Sequence, residues 1–276
     1  MKEKAKIIYS GIFGSYSQIF FSDNKVFAAI LLLASFIDIW AGLAGLIAVL
    51  VSFFTGFLLG FNQVKLSKGL YGFNALLVGL GLGVYFEPSA EFYFVLIIAA
   101  ILTFFLNIAI EGIIGKYHLP YLSIPFIIAI WTITLATRNF DALGISSRGI
   151  YTINDMYVLG GQPLVDLYDW WNNLDFVKSL RVYFISLGAI FFQYNVLAGI
   201  LIALGILYYS RIAFSLSLIG FYAAYYFYEI IGANLTDLSY TYIGFNYILT
   251  SIAIGGFFLI PSYRSYLWTV ILVPLV

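Results

Sequence analysis

The chain has 276 residues, of which 63% are hydrophobic, 20% aromatic and only 9% charged. Soluble domains carry about a quarter charged residues, so this composition excludes a soluble globular protein and predicts an all-α polytopic membrane protein. The 13 Lys and Arg balance the 13 Asp and Glu, which argues against nucleic acid as a partner because phosphate binding requires clustered positive charge.

The first predicted element is a short apolar segment between Ser10 and Ser22. Its eleven residues extend only about 16 Å as a helix, half of a bilayer, so we expect a half-helix; an amphipathic interfacial helix is the alternative. Lys2, Lys4 and Lys6 precede it without a cleavage site. They favour a cytoplasmic N-terminus and a segment that is retained.

Longer charge-free stretches follow, and a membrane span needs about 20 apolar residues. The stretches cover residues 39–64, 69–86, 92–110, 119–137, 182–210, 212–228, 238–263 and 265–276. Between them, residues 138–181 are polar and charged, which indicates an aqueous connector. We therefore predict a first membrane repeat over residues 1–137, with a half-helix and five spans, the connector over 138–181, and a second, incomplete repeat over 182–276.

Two motifs occur twice in the same order. Residues 18–24 and 189–195 both read x-Ile-Phe-Phe-x-x-Asn, at an offset of 195 − 24 = 171. Residues 72–77 and 244–249 both begin Gly-Phe-Asn and end in Leu, at an offset of 245 − 73 = 172. Ordered matches at nearly one offset predict a duplicated bundle, and transporters built in this way place their substrate path between the two halves.

The same offset predicts that the second half is shorter than the first. Residues 119–126 open an apolar segment that contains two prolines and Ser123. Adding 172 to Ser123 gives 295, which lies 19 positions beyond Val276. We therefore expect either a fragment or a pore wall that lacks one helix.

These motifs resemble the urea transporter family, in particular its bacterial members. The most specific piece is Gly-Leu-Tyr-Gly-Phe-Asn-Ala-Leu-Leu-Val-Gly at residues 69–79, supported by Ser-Gln-Ile-Phe-Phe at 17–21, by 119–126, and by 186–192 and 244–249. The resemblance extends over nearly the whole chain. It implies a homotrimer in the inner cell membrane, in which each protomer encloses a central pore between two inverted repeats with short half-helices.

The resemblance also implies which residues line that pore. Aromatic rings stand at the two mouths, aliphatic residues and one tyrosine narrow the path, and a hydroxyl lies near its centre. The residues so implied are Gln18, Phe21, Phe73, Leu77 and Ser123 in the first half and Ala189, Ile190, Phe192, Tyr242, Phe245 and Leu249 in the second. Ser123 replaces the usual Thr of the family, and Ala189 replaces a usual Gln or Glu.

Urea is flat and neutral, with one acceptor and four N–H donors, and these residue types suit it. Opposed Phe rings would hold its plane and exclude hydrated ions, while backbone carbonyls freed at the interrupted helix and at residues 120–125 would accept its N–H groups. An unmet N–H costs about 1–3 kcal/mol, so Ala189 would slow passage about tenfold unless water substitutes. A channel for another small amide or ammonia, or a non-conducting fragment, are the alternatives.

The sequence offers no chemistry for energy coupling or catalysis. It has no Cys, a single His and no phosphate-binding loop, so we expect no enzyme, cofactor or metal site, and passive flux with urea and lipid as partners. Three acidic residues within or beside apolar runs are candidates for a proton relay. We expect Asp38 and Glu111 to be interfacial and Glu229 to pair with Arg211 or meet water.

Overall fold

The computed structural model describes residues 2–146, 148–173, 177–232 and 244–276. These residues form helices joined by turns, with one isolated antiparallel bridge between Phe86 and Ile145. The chain divides into two compact units, Met1–Thr152 and Ile153–Val276. The all-α prediction is therefore confirmed for the described residues.

The first unit contains seven α-helices in its described part. They are α1 Lys2–Ser17, α2 Lys25–Ser35, α3 Ile39–Leu58, α4 Gln63–Ser67, α5 Phe73–Tyr85, α6 Ala90–Ile114 and α7 Ile124–Ala136. Four of them start at a side chain that accepts a hydrogen bond from a backbone N–H of the first turn, the usual way to satisfy these donors. The four residues are Asn24, Asp38, Asn62 and Ser89.

Helix α5 is the centre of the first unit and packs against α3, α6 and α7. Every residue from Phe73 to Gly83 is buried, as expected for a helix that is apolar on all sides. Small residues allow this close packing, since a Cβ at Gly79 would lie 2.6 Å from the carbonyl oxygen of Ala44.

The second unit begins within α8 Arg148–Asn172. Its further described helices are α9 Lys178–Ala189, α10 Val196–Tyr209, α11 Arg211–Ile230, α12 Gly244–Ile252 and α13 Tyr263–Leu272. Helix α12 continues as a π-helical turn, Ala253–Phe258. Helix α8 falls in the segment 138–181, which the sequence predicted to be an aqueous connector because it is polar and charged.

Helix bounds in the second unit repeat those of the first at the offset found in the sequence. Adding 172 to the bounds of α3 gives 211 and 230, the bounds of α11, and adding 171 to the first residue of α2 gives 196, the first residue of α10. Helix α5, shifted by 172, begins one residue after the start of α12. Each sequence motif thus lies at the same place in the helix order of both units.

Two helical stretches of the described chain, Ile39–Leu58 and Ala90–Tyr117, are each long and apolar enough to cross a membrane. A third candidate is a bent pair, Lys6–Phe20 and Lys25–Ser35, whose axes differ by 82°. The helix that contains residues 11–17 starts at Lys2, so it is longer than the eleven-residue segment on which the half-helix prediction was based. The half-helix itself stays a prediction.

Candidate functional site

The first copy of the x-Ile-Phe-Phe-x-x-Asn motif ends α1 in a tight turn. The N–H of Phe21 donates to the carbonyl of Gln18 at 2.9 Å, and the N–H of Ser22 donates to the carbonyl of Ser17 at 3.1 Å. This pair of bonds is the Schellman ending of a helix. Gln18 and Phe21, the two predicted residues of this segment, are therefore bonded within one turn. Both are half-buried.

The second copy of the motif ends α9 in the same way. The N–H of Phe192 donates to the carbonyl of Ala189 at 3.0 Å, and the N–H of Gln193 donates to the carbonyl of Gly188 at 3.0 Å. Ala189 and Ile190 are buried, whereas Phe192 is half-buried. Each hydrogen-bonded residue is 171 positions from its equivalent in the first unit.

Both turns hold a phenylalanine in the left-handed region. The φ angle is 57° at Phe21 and 56° at Phe192. Glycine usually takes this place, because a side chain there costs about 1–2 kcal/mol. Strained residues of this kind cluster at functional sites. The second Phe of each motif is therefore kept against its backbone preference, at the same point of both units.

An asparagine starts the next helix after each turn. Asn24 Oδ1 accepts from the N–H of Phe27 at 2.9 Å, and Asn195 Oδ1 accepts from the N–H of Leu197 at 2.7 Å. The last residue of the repeated motif is thus a helix N-cap. This role explains why the motif ends in Asn three residues after its second Phe.

The Gly-Phe-Asn motif forms the N-terminus of α5 in the first unit and of α12 in the second. Phe73 and Leu77 are four residues apart and share one face of α5, and Phe245 and Leu249 share one face of α12. The first pair is buried and the second is half-buried. Tyr242 lies outside the described residues.

Each Gly-Phe-Asn motif touches the helix that ends in the strained Phe of its own unit. A Cβ at Gly72 would overlap Ser15 of α1, and a Cβ at Gly244 would overlap Ser186 of α9. The two serines are themselves 171 positions apart. Glycine at each position leaves room for the hydroxyl of the serine on the other helix, which a Cβ would displace.

Ser123 precedes α7 at its N-cap position and is half-buried, but its hydroxyl does not cap the helix. The backbone carbonyls around it are engaged: Tyr121 O accepts from the N–H of Ile124, Leu122 O from Asn74 Nδ2, and Ser123 O from the N–H of Ile127. The sequence predicted that this segment releases free carbonyls. That expectation is wrong for these three, each of which keeps only its second lone pair for another donor.

A buried amide pair lies beside this segment and was missed by the sequence reasoning. Asn74 Nδ2 donates to Asn107 Oδ1 at 2.7 Å, and Asn107 Nδ2 donates to the carbonyl of Tyr71 at 3.0 Å. Both asparagines have no exposed surface. The signal was Asn107 itself, a polar residue in the middle of the long apolar run that forms α6.

The structure shows the surroundings of the three acidic residues that were candidates for a proton relay. Asp38 caps α3, and Glu111 Oε1 lies 2.6 Å from Lys65 Nζ. The hydrogen bond that the Lys65 ammonium donates to Glu111 raises the pKa of Lys65. Glu229 is exposed near the C-terminal end of α11, whereas Arg211 is the first residue of that helix, about 27 Å away along the axis. Of the two alternatives predicted for Glu229, pairing with Arg211 is therefore wrong, and contact with water stays a prediction.

No group of three or more His, Asp or Glu residues within the described ranges could hold a metal ion. A sequence model described as "Urea transporter" matches residues 10–276. The chain belongs to the urea transporter family. Membership in this family makes the chain an integral membrane protein of a transporter family rather than an enzyme, as the sequence predicted.

Curated relatives support the same assignment. The chain is 24% identical over 255 residues to urea transporter 1 of Mus musculus and 25% identical over 255 residues to urea transporter 1 of Ovis aries. It is 24% identical over 256 residues to urea transporter 1 of Rattus norvegicus. These alignments cover 91% of this chain and 64% of each relative, so the chain spans less than two thirds of their length.

Proposed function

We propose that this chain passes urea across a membrane by facilitated diffusion, as a channel. Membership in the urea transporter family carries the proposal. The strained Phe21 and Phe192, which recur at one motif position of the two units, support it. A ring held against the preference of its own backbone is expected where the ring has a task that glycine could not perform.

The pore of this proposal is lined by the residues implied by the family resemblance. They are Gln18, Phe21, Phe73, Leu77 and Ser123 from the first unit and Ala189, Ile190, Phe192, Tyr242, Phe245 and Leu249 from the second. The aromatic rings would hold the flat urea molecule edge-on and reject hydrated ions, which lose hydration that a ring cannot replace. Acceptor oxygens would then meet the N–H groups of urea at several weak sites, as conduction requires.

The larger organisation is proposed from the resemblance alone. It comprises two inverted membrane repeats over residues 1–137 and 182–276, a connector over 138–181, a homotrimer with one pore in each protomer, and a place in the inner cell membrane among its lipids. Flux down the gradient would need no cofactor. The ion pair of Lys65 and Glu111 and the capping role of Asp38 support passive flux, because they give these charges structural tasks.

A second candidate is a channel for a less polar amide. Ala189 is buried at the end of α9 and its carbonyl already accepts from the N–H of Phe192. Where the family usually has a Gln or Glu oxygen, this chain offers only a methyl group. An amide with fewer N–H donors, such as acetamide, would lose less than urea does at this position.

The test is stopped-flow light scattering of proteoliposomes under inward gradients of urea, acetamide and methylurea. We expect the wild-type chain to pass urea faster than empty liposomes. Phe21→Ala and Phe192→Ala should each raise the methylurea to urea permeability ratio several-fold, because loss of the ring widens the pore at that point. Phe94→Ala, which truncates a ring that is 67% exposed on α6, is the matched control and should keep the wild-type ratio.

Ala189→Gln separates the two candidates. Restoring an acceptor should raise urea permeability up to about tenfold, the equivalent of about 1.4 kcal/mol for one N–H that gains a partner. An unchanged urea rate beside rapid acetamide flux would favour the second candidate. Traces that match empty liposomes for all three solutes would contradict the channel proposal itself.

A further inference from the structure

The segment between α6 and α7, residues 115–123, is fastened to the N-terminus of α5. It contains two residues in the left-handed region, His118 with φ 57° and Leu122 with φ 45°. These angles cost energy for residues other than glycine. Contacts made by the segment therefore have to hold it in place, and two consecutive residues, Tyr121 and Leu122, make them.

Tyr121 contacts the start of α5 at two points. Its ring stacks on the ring of Phe73, with centroids 6.0 Å apart and planes inclined by 26°. Its hydroxyl donates to the carbonyl of Leu70 at 2.8 Å. The tyrosine is thus anchored at its outer end on the turn before α5, while its ring supports the first side chain of that helix.

The next residue is held by the buried amides. Asn74 Nδ2 donates to the carbonyl of Leu122 at 3.1 Å and to Asn107 Oδ1. Asn74 directly follows Phe73, so the segment is bonded on both sides of the stacked ring pair. This bracing leaves the Tyr121 ring little freedom to move away from Phe73.

We propose that Tyr121 is a positioning residue that sets solute selectivity by holding the plane of the Phe73 ring. The proposal rests on the proposed function, in which the Phe73 ring is one of the aromatic rings that hold urea edge-on; the space between these rings is called the slot. Phe73 is the first residue of α5, and the ring of Tyr121 stacks on its ring. Without the stacked ring behind it, Phe73 would sample other orientations, and the slot would admit bulkier solutes than flat urea.

The ring and the hydroxyl of Tyr121 have separable effects. Tyr121→Phe keeps the stacked ring and removes the bond to Leu70, whereas Tyr121→Leu removes the ring as well. Tyr117 lies in the same segment and is 73% exposed, so Tyr117→Phe and Tyr117→Leu are matched controls. All four substitutions leave the pore residues of the proposal unchanged.

The experiment measures the methylurea to urea permeability ratio in proteoliposomes. We expect Tyr121→Leu to raise it at least fivefold, Tyr121→Phe to raise it about twofold, and both Tyr117 variants to match the wild type. A folded Tyr121→Leu with the wild-type ratio would overturn the proposal. If that variant does not fold, a Tyr121→Phe with the wild-type ratio does the same, since the anchor would then have no effect on selectivity.

A second readout does not depend on flux. With 4-fluorophenylalanine at position 73, the ¹⁹F resonance in detergent should shift or broaden in Tyr121→Leu and stay unchanged in Tyr117→Leu. An unchanged resonance in Tyr121→Leu would overturn the claim that Tyr121 holds the ring. A wild-type chain that conducts urea with no ratio change in the Tyr121 variants refutes the selectivity role alone, whereas one that conducts no solute refutes the proposed function and that role together.

Discussion

The two units share a backbone design but differ in how they surround the Gly-Phe-Asn motif. In the first unit Asn74 is fully buried and donates to Asn107 and to the carbonyl of Leu122. In the second unit the equivalent Asn246 is exposed.

This difference separates features that the motif itself determines from features that depend on residues far away in the sequence. The strained turn and the helix caps use residues within one motif, and they recur in both units. The burial of the motif asparagine uses partners 33 and 48 positions away in the chain. The same six-residue motif therefore begins a helix in both units, and within the described residues its asparagine joins a buried polar network in the first unit and is exposed in the second.

Packing differs as well. Gly199 of α10 approaches the backbone of Phe184 so closely that a Cβ would overlap its carbonyl group. The equivalent position in the first unit, 199 − 171 = 28, is Ala28, which is buried and does carry a Cβ. Helices α9 and α10 therefore approach each other more closely at this point than α1 and α2 do.

The largest expected effect is on the buried amide. Asn74→Ala removes the donor to Asn107 Oδ1, which is buried, and the donor to the carbonyl of Leu122, which is partly buried. A buried acceptor that loses its donor costs about 1–3 kcal/mol. Asn246→Ala, at the exposed equivalent, should change the free energy of unfolding by less than about 0.5 kcal/mol. Thermal unfolding in detergent measures both, and equal shifts would show that the two asparagines do not differ in role.

Gly199→Ala should have the next largest effect. It gives the second unit the residue of the first, but the added methyl meets the backbone of Phe184, which cannot rotate away as a side chain can. Overpacking of this kind costs about 1–3 kcal/mol. A melting temperature that matches the wild type would mean that α9 and α10 can separate freely.

The reverse exchange, Ala28→Gly, controls for the residue types. It should cost about 1 kcal/mol from lower helix propensity and about 0.8 kcal/mol from the loss of a buried methyl group. A larger loss of unfolding free energy for Ala28→Gly than for Gly199→Ala would contradict the inference that α9 and α10 pack more closely here than α1 and α2 do.

The sequence predicted the general plan of this molecule and missed the parts that depend on distant contacts. The apolar composition identified an all-α membrane protein, and the second copy of the x-Ile-Phe-Phe-x-x-Asn motif lies at the break between α9 and α10. The left-handed Phe21 and Phe192 were missed, because the sequence shows no glycine where a helix ending of this type usually has one. Only the backbone angles reveal the strain.

Several contacts of the candidate site lie beyond what a sequence pattern can indicate. Lys65 and Glu111 are 46 positions apart, and Tyr121 and Leu70 are 51 apart. Neither pair shares a helix, so no periodicity connects its members. The carbonyl of Leu122 was predicted to be free for the same reason, because its donor, Asn74, comes from another helix.

The smallest expected effect tests the part that the two units share. Asn24→Ala and Asn195→Ala each remove a helix N-cap, which costs about 1 kcal/mol. Because both caps bond backbone N–H groups at 2.7–2.9 Å, the two losses should agree within about 0.5 kcal/mol. Hydrogen exchange at the first amides of α2 and α10 measures them. Asn24→Asp and Asn195→Asp keep the acceptor and should stay near the wild type, whereas a loss confined to one unit would show that the matching turns are not equivalent in energy.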